Sequence, residues 1–216
     1  MINKNSLQFL ENLKQNNNRE WFAENKEWYE RAKADFELLV AKMIQALAPF
    51  DSEAAHREAK KCVFRIYRDV RFSPDKSPYK TNMGASMGSK DHGYYMQIAP
   101  EESFIACGYY MPQPHELKKI RRGIYEDFET FKEIIDNKTF KNNIGDLRRD
   151  GDSLKRVPNG FDKEHPAAEY IKLKRFYVMK TIGQEQLLKD DFVQYAAQMY
   201  EAMYPLKKFL VDLLED

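Results

Sequence analysis

The chain has 216 residues, a length that suits one domain with a substantial hydrophobic core. Its 35 Lys and Arg residues almost balance its 34 Asp and Glu residues, so the formal net charge of +1 attracts it to neither nucleic acid nor an anionic membrane. The N-terminal sequence lacks the apolar core of a signal peptide, and no later run approaches the roughly 20 apolar residues of a membrane span. We therefore expect a single cytoplasmic domain over residues 1–216.

The N-terminal third predicts one long helix. Aromatic and aliphatic residues recur at intervals of three and four over residues 18–47, the period of an amphipathic helix. Asn17 or Asn18 is a suitable N-cap, and Pro49 disfavours the helical conformation of the residue before it. The charged stretch DSEAAHREAKK that follows predicts an exposed connection with at most a helical turn.

The stretch CVFRIYRDVRF changes from a helical to an alternating period, which predicts a strand over residues 62–72. We expect Arg68 on its apolar side, where a cation needs an internal carboxylate partner. The other residues divide between an apolar face of Cys62, Phe64, Ile66, Val70 and Phe72 and a polar face of Arg65, Tyr67, Asp69 and Arg71.

Further strands are predicted in the middle of the chain. The stretch MGASMG is a short strand, and GYYMQIAPEESFIACGYYM is a hairpin that turns near residues 100–102. Centring the hairpin there pairs Tyr94 with Tyr109 and Tyr95 with Gly108, so that an aromatic ring covers the glycine. Cys62 and Cys107 both lie in apolar runs and are expected to be buried, reduced thiols.

The second half of the chain predicts helices around one more strand. One or two helices follow Pro114, a short helix opens at Pro166, and a strand covers residues 175–182. A helix then runs from Gln184 to the end, with a kink or a break at Pro205. The pattern predicts an α+β fold: a mostly antiparallel sheet of hairpin-joined strands packed with a long N-terminal helix and C-terminal helices.

Cations are concentrated in the stretch RIYRDVRFSPDKSPYKT. Arg65 and Arg71 share the polar face of the predicted strand, and Lys76 and Lys80 follow within one loop. Guanidinium and ammonium groups at this density suit a phosphate or a carboxylate, which prefers charge-assisted and bidentate donors. The alternative, to which we give equal weight, is a set of solvated charges paired with nearby acids. Arg68 and Asp69 are expected to have structural roles.

A second cationic motif, LKRVPNGFDKEHP, lies near the start of the predicted short helix. We expect Arg156 and Lys172, with Lys155, to approach the anion site of the first motif. Asp162 and His165 are the best candidates for an acid and base pair, although an Asp at a helix start more often serves as a cap.

Motifs for other chemistry are missing from the sequence. The four His residues have no ligand spacing, so we expect no metal site. No phosphate-binding loop, dinucleotide fingerprint or nucleophile elbow occurs, and the sequence indicates no cofactor.

Three blocks of the chain resemble a known family, the conserved hypothetical proteins of bacteria and fungi called domain of unknown function two-four-six-one. They are REWFAENKEWYE, RIYRDVRFSPDKSPYKT and PNGFDKEHPAAEYIKLKRF, and together they carry the resemblance over nearly the whole chain. The matching positions are Arg65, Arg68, Asp69, Arg71, Phe72, Ser73, Asp75, Lys76, Pro78, Tyr79, Lys80, Thr81, Gly160, Asp162, His165 and Pro166. The resemblance implies one soluble domain with no assigned activity, and it supplies no catalytic residues.

Three functions fit these observations. The first is a basic pocket for an anionic small molecule, with or without catalysis. The second is a nucleic-acid-binding module in which the same cations contact phosphates and tyrosines stack on bases, ranked lower because of the near-neutral charge. The third is a protein-interaction or scaffold domain in which the charges form internal ion pairs.

Overall fold

The computed structural model describes residues 2–89, 92–149 and 153–215. The chain divides into two compact units. Unit 1 comprises Met1–Gly88, Tyr95–Ile105 and Thr181–Gln198, and unit 2 comprises Ser89–Tyr94, Ala106–Lys180 and Met199–Asp216. The last three strands and the last helix of the chain each contribute residues to both units.

Helices dominate the described residues. The elements in chain order are α1 (Lys4–Gln15), α2 (Arg19–Glu24), α3 (Lys26–Leu47), α4 (Ser52–Ala55), α5 (Ala59–Cys62), β1 (Met83–Ser86), β2 (His92–Ile98), β3 (Ser103–Tyr109), α6 (Pro114–Glu126), α7 (Phe128–Asp136), α8 (Lys138–Asn143), α9 (Ala168–Ile171), β4 (Phe176–Ile182), α10 (Gln184–Leu187) and α11 (Phe192–Glu215).

The four strands form one antiparallel sheet in the order β1-β2-β3-β4, so sequence neighbours are also neighbours in the sheet. The ladder between β1 and β2 runs from Met83 opposite Ile98 to Ser86 opposite Tyr95. At the turn between β2 and β3 the Ser103 hydroxyl accepts from the Ala99 amide and donates to the Ala99 carbonyl, both at 3.0 Å. The predicted α+β class and the hairpin are confirmed.

The predicted long N-terminal helix is interrupted at Asn25, which separates α2 from α3. The Asn25 side chain donates to the Trp21 carbonyl at 2.9 Å, and its own backbone leaves the helical region. An Asn side chain competes in this way with the helix's own hydrogen bonds, and the apolar period does not reveal it. Asn18 caps α2 as predicted, since its Oδ1 accepts from the Trp21 amide at 2.8 Å. The connection after α3 contains α4 and α5.

Pro166 behaves differently from the prediction, and Pro205 does not break its helix. Pro166 does not open a helix, because α9 begins at Ala168 with Ala167 as its N-cap. Pro205 lies inside α11 without ending it. Because proline has no N–H group, the carbonyl of Glu201, four positions earlier, loses its helical hydrogen-bond donor. Pro205 and Glu201 are both exposed, so this carbonyl is on the solvated side of the helix.

Gly84 and Gly108 are both closely covered by neighbouring groups, and the predicted cover of Gly108 by Tyr95 stays a prediction. The Tyr95 ring lies over Gly84, where a Cβ would meet the Tyr95 hydroxyl at 2.6 Å. Gly108 has a φ of +128°, and a Cβ there would lie 2.3 Å from the Phe176 carbonyl oxygen and 2.7 Å from the Tyr177 Cα. Strand β4 therefore approaches the Gly108 backbone too closely for any side chain.

Each unit has its own buried side chains. In unit 1, α1 packs on α3 and buries Phe9, Leu13 and Phe36 completely. In unit 2, Phe131, Phe140 and Phe176 are equally buried. Cys62 and Cys107 are buried, reduced thiols, as predicted. Within residues 2–89, 92–149 and 153–215, no helix is both long enough and apolar enough to cross a membrane.

The close approach at Gly108 generates a stability prediction. Gly108→Ala introduces both a left-handed alanine and a clash with backbone, and we expect it to lower the free energy of unfolding by at least about 3 kcal/mol. Gly145→Ala is the matched control, because Gly145 also has a positive φ, +97°, but a Cβ there meets no atom within 4 Å. The control should lose only about 1 kcal/mol. Equal losses in urea denaturation would contradict the close approach of β4.

Candidate functional site

The segment that carries the predicted anion site folds as an irregular ribbon. Residues 63–85, which we call the basic ribbon, form two arms joined by isolated antiparallel bridges between Val63 and Ala85 and between Tyr67 and Tyr79. The second arm has more residues between the bridges than the first, so a bulge interrupts the ladder. The regular strand predicted over residues 62–72 is therefore wrong, although its first half is extended and paired.

The predicted alternation of faces holds only in part. Cys62 and Ile66 are buried, but Phe64 is 48% exposed and Phe72 is 93% exposed. Pairing ends where the Arg68 amide donates to the Pro78 carbonyl at 2.9 Å, so residues 69–77 form a loop with no strand beside it. Alternation along a chain buries every second side chain only where a hydrophobic core lies along that part of the chain.

Two of the predicted anion-binding cations bind acceptors of this loop. Arg71 forms a bidentate pair with Asp69, with Nη2 to Oδ2 at 2.7 Å and Nε to Oδ1 at 3.0 Å. The hydrogen bonds from Arg71 hold the pKa of Asp69 below its usual value. The Lys76 ammonium donates to the Val70 carbonyl at 3.0 Å. The charge of Arg71 is therefore compensated within the loop, and Lys76 has a hydrogen-bond acceptor there.

Arg68 organises the same loop. Its guanidinium pairs with the Asp75 carboxylate and donates to the Ser77 carbonyl at 3.1 Å and the Ser73 hydroxyl at 3.3 Å. Hydrogen bonds from Ser77, and then from Arg68, lower the pKa of Asp75 to about 2. The side chains of Arg68 and Asp75 are 25% and 61% exposed, so the pair lies at the surface and the expected internal position is wrong.

Arg65 and Lys80 differ from the other cations of the basic ribbon. Within the part of the chain that the structure describes, neither forms an ion pair or a side-chain hydrogen bond. The Lys80 ammonium is half-buried and lies 5.5 Å from the centroid of the Phe64 ring. Burial, followed by the charge of Arg65, lowers the pKa of Lys80 below 10.5. These two charges repel each other, and the charge of Arg65 also lowers the pKa of Asp69.

An aromatic group fixes the basic ribbon to the helices of unit 1. The Phe22 ring stacks on Tyr79 with centroids 3.9 Å apart, and Tyr67 contacts Tyr79 at 5.4 Å. On the other side, Phe22 contacts Tyr29 at 5.1 Å. Asn17 exchanges two hydrogen bonds with the Tyr79 backbone, of 3.0 and 3.1 Å. The ribbon therefore has a fixed position on α2 and α3.

The second motif lies in unit 2, where local contacts engage most of its members. Lys172 pairs with Glu169 at 2.5 Å. The Asp162 carboxylate accepts from the Glu164 amide at 3.0 Å, and His165 Nδ1 accepts from the Ala167 amide at 3.1 Å. Both side chains thus stabilise the turn before α9.

Other parts of this motif stay predictions. Lys155 and Arg156 are exposed, and their approach to the basic ribbon, with that of Lys172, is untested. The acid and base roles of Asp162 and His165 are untested as well. His165 also lies against the Tyr125 ring, with centroids 4.1 Å apart, so its imidazole is held on both its edge and its face.

Sequence reasoning missed the residues that pack against the basic ribbon. Phe22, Tyr29 and Asn17 were assigned to a helix and its cap, with no link to the cationic stretch. The block REWFAENKEWYE contains Phe22 and Tyr29, but nothing in its spacing shows which distant segment its aromatic face covers.

Comparison with known proteins gives one match. The model of a family described as conserved hypothetical protein (DUF2461) matches residues 5–209. Because the match covers nearly the whole chain, the chain belongs to this family, as its three sequence blocks indicated. Neither a curated protein nor a solved structure matches.

The contacts of Arg68 generate the second prediction. Arg68→Ala removes the donors that hold Asp75 and the Ser77 carbonyl, so we expect a looser loop over residues 69–77 in a protein that still folds. Because the pair is at the surface, the melting temperature should fall by no more than about 5 °C. Arg71→Ala, which removes the same charge from an exposed pair, is the control and should leave the melting temperature unchanged. Unfolding of the Arg68 variant would show that the pair is buried after all.

Proposed function

We propose that this member of the DUF2461 family binds an anionic small molecule, bearing a phosphate or a carboxylate, at Arg65 and Lys80. The observation that carries the proposal is that neither cation forms an ion pair or a side-chain hydrogen bond with a described residue, although each of the other cations from Arg68 to Lys76 has an acceptor. An oxyanion between Arg65 and Lys80 would compensate both charges.

The energetics favour such a ligand. Burial and the neighbouring Arg65 disfavour the charged form of Lys80, and an anion would reverse both effects by pairing with the ammonium. Arg65 offers the planar fork that binds phosphate and carboxylate in a bidentate manner. The basic ribbon is held rigidly by Asn17 and Phe22, so little conformational entropy would be lost on binding.

The remaining predicted cations have secondary roles in this proposal. Arg71 would have to release the Asp69 carboxylate to contact the ligand, and Lys76 would have to release the Val70 carbonyl. Arg156, Lys172, Asp162 and His165 belong to unit 2, and their roles stay predictions of the sequence. A cytoplasmic location fits a small phosphorylated or carboxylated metabolite.

Exposed aromatic side chains favour a second candidate, a module for single-stranded nucleic acid. Phe64, Tyr67 and Phe72 are each about half exposed or more, and they alternate with the cations of the basic ribbon. Bases stack on such side chains while cations contact the phosphates. We rank this candidate second, because the net charge of +1 provides little general attraction to a polyanion.

Anion binding should raise the melting temperature. A ligand at 100 times its dissociation constant stabilises the native state by about 2.7 kcal/mol, so phosphate should stabilise the wild type relative to chloride at matched ionic strength. Arg65→Ala and Lys80→Gln should abolish this response without lowering the basal melting temperature, because each relieves repulsion. Arg71→Ala is the matched control and should keep the response. If the wild type shows no phosphate response, or only the Arg71 variant loses it, the proposed site is wrong.

The lowered pKa of Lys80 predicts a pH dependence. The protonated ammonium binds the anion, so affinity should fall as pH rises through the lowered pKa, which lies below 10.5, whereas Arg65 stays charged. Sulfate is the suitable probe, because its charge is constant over this range. Titration calorimetry between pH 7 and 11 measures the effect, and Lys80→Arg should extend binding to higher pH. Equal pH profiles for the wild type and this variant would exclude Lys80 from the site.

Without a ligand, the same shift affects stability in a defined direction. The folded state holds the Lys80 proton less tightly than the unfolded state does, so the free energy of unfolding should rise with pH between the lowered pKa and 10.5. Lys80→Gln removes the titrating group and should remove this rise.

A further inference from the structure

We propose that Tyr29, Tyr67 and Tyr79, which we call the tyrosine cluster, bind the hydroxyl-bearing part of the ligand whose anion Arg65 and Lys80 hold. The ligand class is then a phosphorylated or carboxylated polyol, such as a sugar phosphate. This inference rests on the proposed function and adds to it the chemistry of the rest of the ligand.

The tyrosine cluster is built around one buried ring. The centroids of Tyr29, Tyr67 and Tyr79 lie 5.1, 6.1 and 3.9 Å from that of Phe22, which is only 4% exposed. The three tyrosines come from α3 and from both arms of the basic ribbon. The cluster therefore exists only when the ribbon is folded against α2 and α3.

Their hydroxyl groups are available to a ligand. None of the three hydroxyls forms a hydrogen bond with a residue that the structure describes. The Tyr79 ring is buried, and the whole residue is only 6% exposed. Its hydroxyl, which has no hydrogen-bond partner among the described residues, is nevertheless accessible to solvent. The hydroxyl end of a buried ring thus reaches the surface beside Tyr67, which is 52% exposed.

The hydroxyls also lie close enough to influence one another. Tyr67 contributes to the raised pKa of Tyr29 and to that of Tyr79, after the larger effect of burial in each case. The pKa of Tyr29 reaches about 12. The raised pKa values keep the phenols of Tyr29 and Tyr79 neutral at physiological pH, and a phenol both donates and accepts hydrogen bonds.

This arrangement suits alcohol groups better than a second anion. A ligand hydroxyl also donates and accepts, so it complements a phenol in either direction. The rings add apolar surface against which the C–H groups of a sugar can pack. After burial, the acids Glu30 and Glu37 contribute to the raised pKa of Tyr29, so the negative potential of these acids disfavours a further anion beside Tyr29.

Arg65 of the anion site lies beside Tyr67 of the tyrosine cluster along the first arm of the basic ribbon. Arg65 and Tyr67 are two positions apart in the extended arm, so their side chains project to the same side. The Tyr67 ring then continues the surface that begins at the Arg65 guanidinium. One small molecule with an anionic end and a hydroxylated body can contact both.

The experiment compares ligands that differ in one part at a time. Titration calorimetry on the full chain measures affinity for inorganic phosphate, glucose 6-phosphate, glucose and uridine 5′-monophosphate. We expect the wild type to bind glucose 6-phosphate at least tenfold more tightly than phosphate, with glucose alone too weak to detect. Tyr67→Phe and Tyr79→Phe should each remove most of that advantage and leave phosphate affinity unchanged. Tyr195→Phe, a half-buried tyrosine of unit 1 outside the cluster, is the control and should keep it.

The outcomes separate this inference from the proposed function. If phosphate binds and glucose 6-phosphate binds no more tightly, or if the Phe variants weaken both ligands equally, the tyrosine cluster does not contact the ligand and the inference fails alone. If neither anion binds, the proposed function fails and takes the inference with it. Tighter binding of the nucleotide, or of an oligothymidylate with a steep salt dependence, overturns the inference in favour of nucleic acid. Near-UV circular dichroism confirms that each variant is folded.

Discussion

The contact on which the candidate site depends is the attachment of Tyr79 to the N-terminal helices. Its ring stacks on Phe22, and its backbone exchanges two hydrogen bonds with the Asn17 side chain. The two bridges of the basic ribbon are separated by a bulge, and the repulsion among its many cations opposes the pairing of its two arms. The burial of Tyr79 and its hydrogen bonds to the Asn17 side chain hold the second arm of the basic ribbon, and the bridge to Tyr67 holds the first arm. Arg65 and Lys80 are therefore kept near each other despite their repulsion.

Charge compensation then divides the cations into two groups. Between Arg68 and Ser77 the chain supplies its own acceptors, two carboxylates and two carbonyls, and the loop is ordered by them. Arg65 and Lys80 form no ion pair or side-chain hydrogen bond with a described residue, although the charge of Arg65 lowers the pKa of Asp69. Cations with and without an acceptor of their own therefore lie within one short stretch, and total charge does not distinguish them.

Much of the fold was predictable, because local signals and tertiary packing agree there. The hairpin of β2 and β3, strand β4 and the helices that follow Pro114 combine a clear period with turn residues at their ends, and each forms close to its predicted position. The predictions failed where a single polar side chain or an absent neighbour decides the outcome. Asn25 divides the N-terminal helix through a bond to the Trp21 carbonyl, and residues 69–73 alternate perfectly but have no strand beside them.

The sequence by itself determined the fold class, the family and the stretch that concentrates positive charge, since each of these is a property of composition and local spacing. Only the tertiary structure decided which of those charges are compensated, because compensation depends on distances between side chains and not on their order. It also decided that Phe22 and Tyr29 meet Tyr67 and Tyr79, which lie between 38 and 57 positions away along the chain. Helical and strand periods show that a side chain is buried, but the partner that buries it is set by the packing of distant segments.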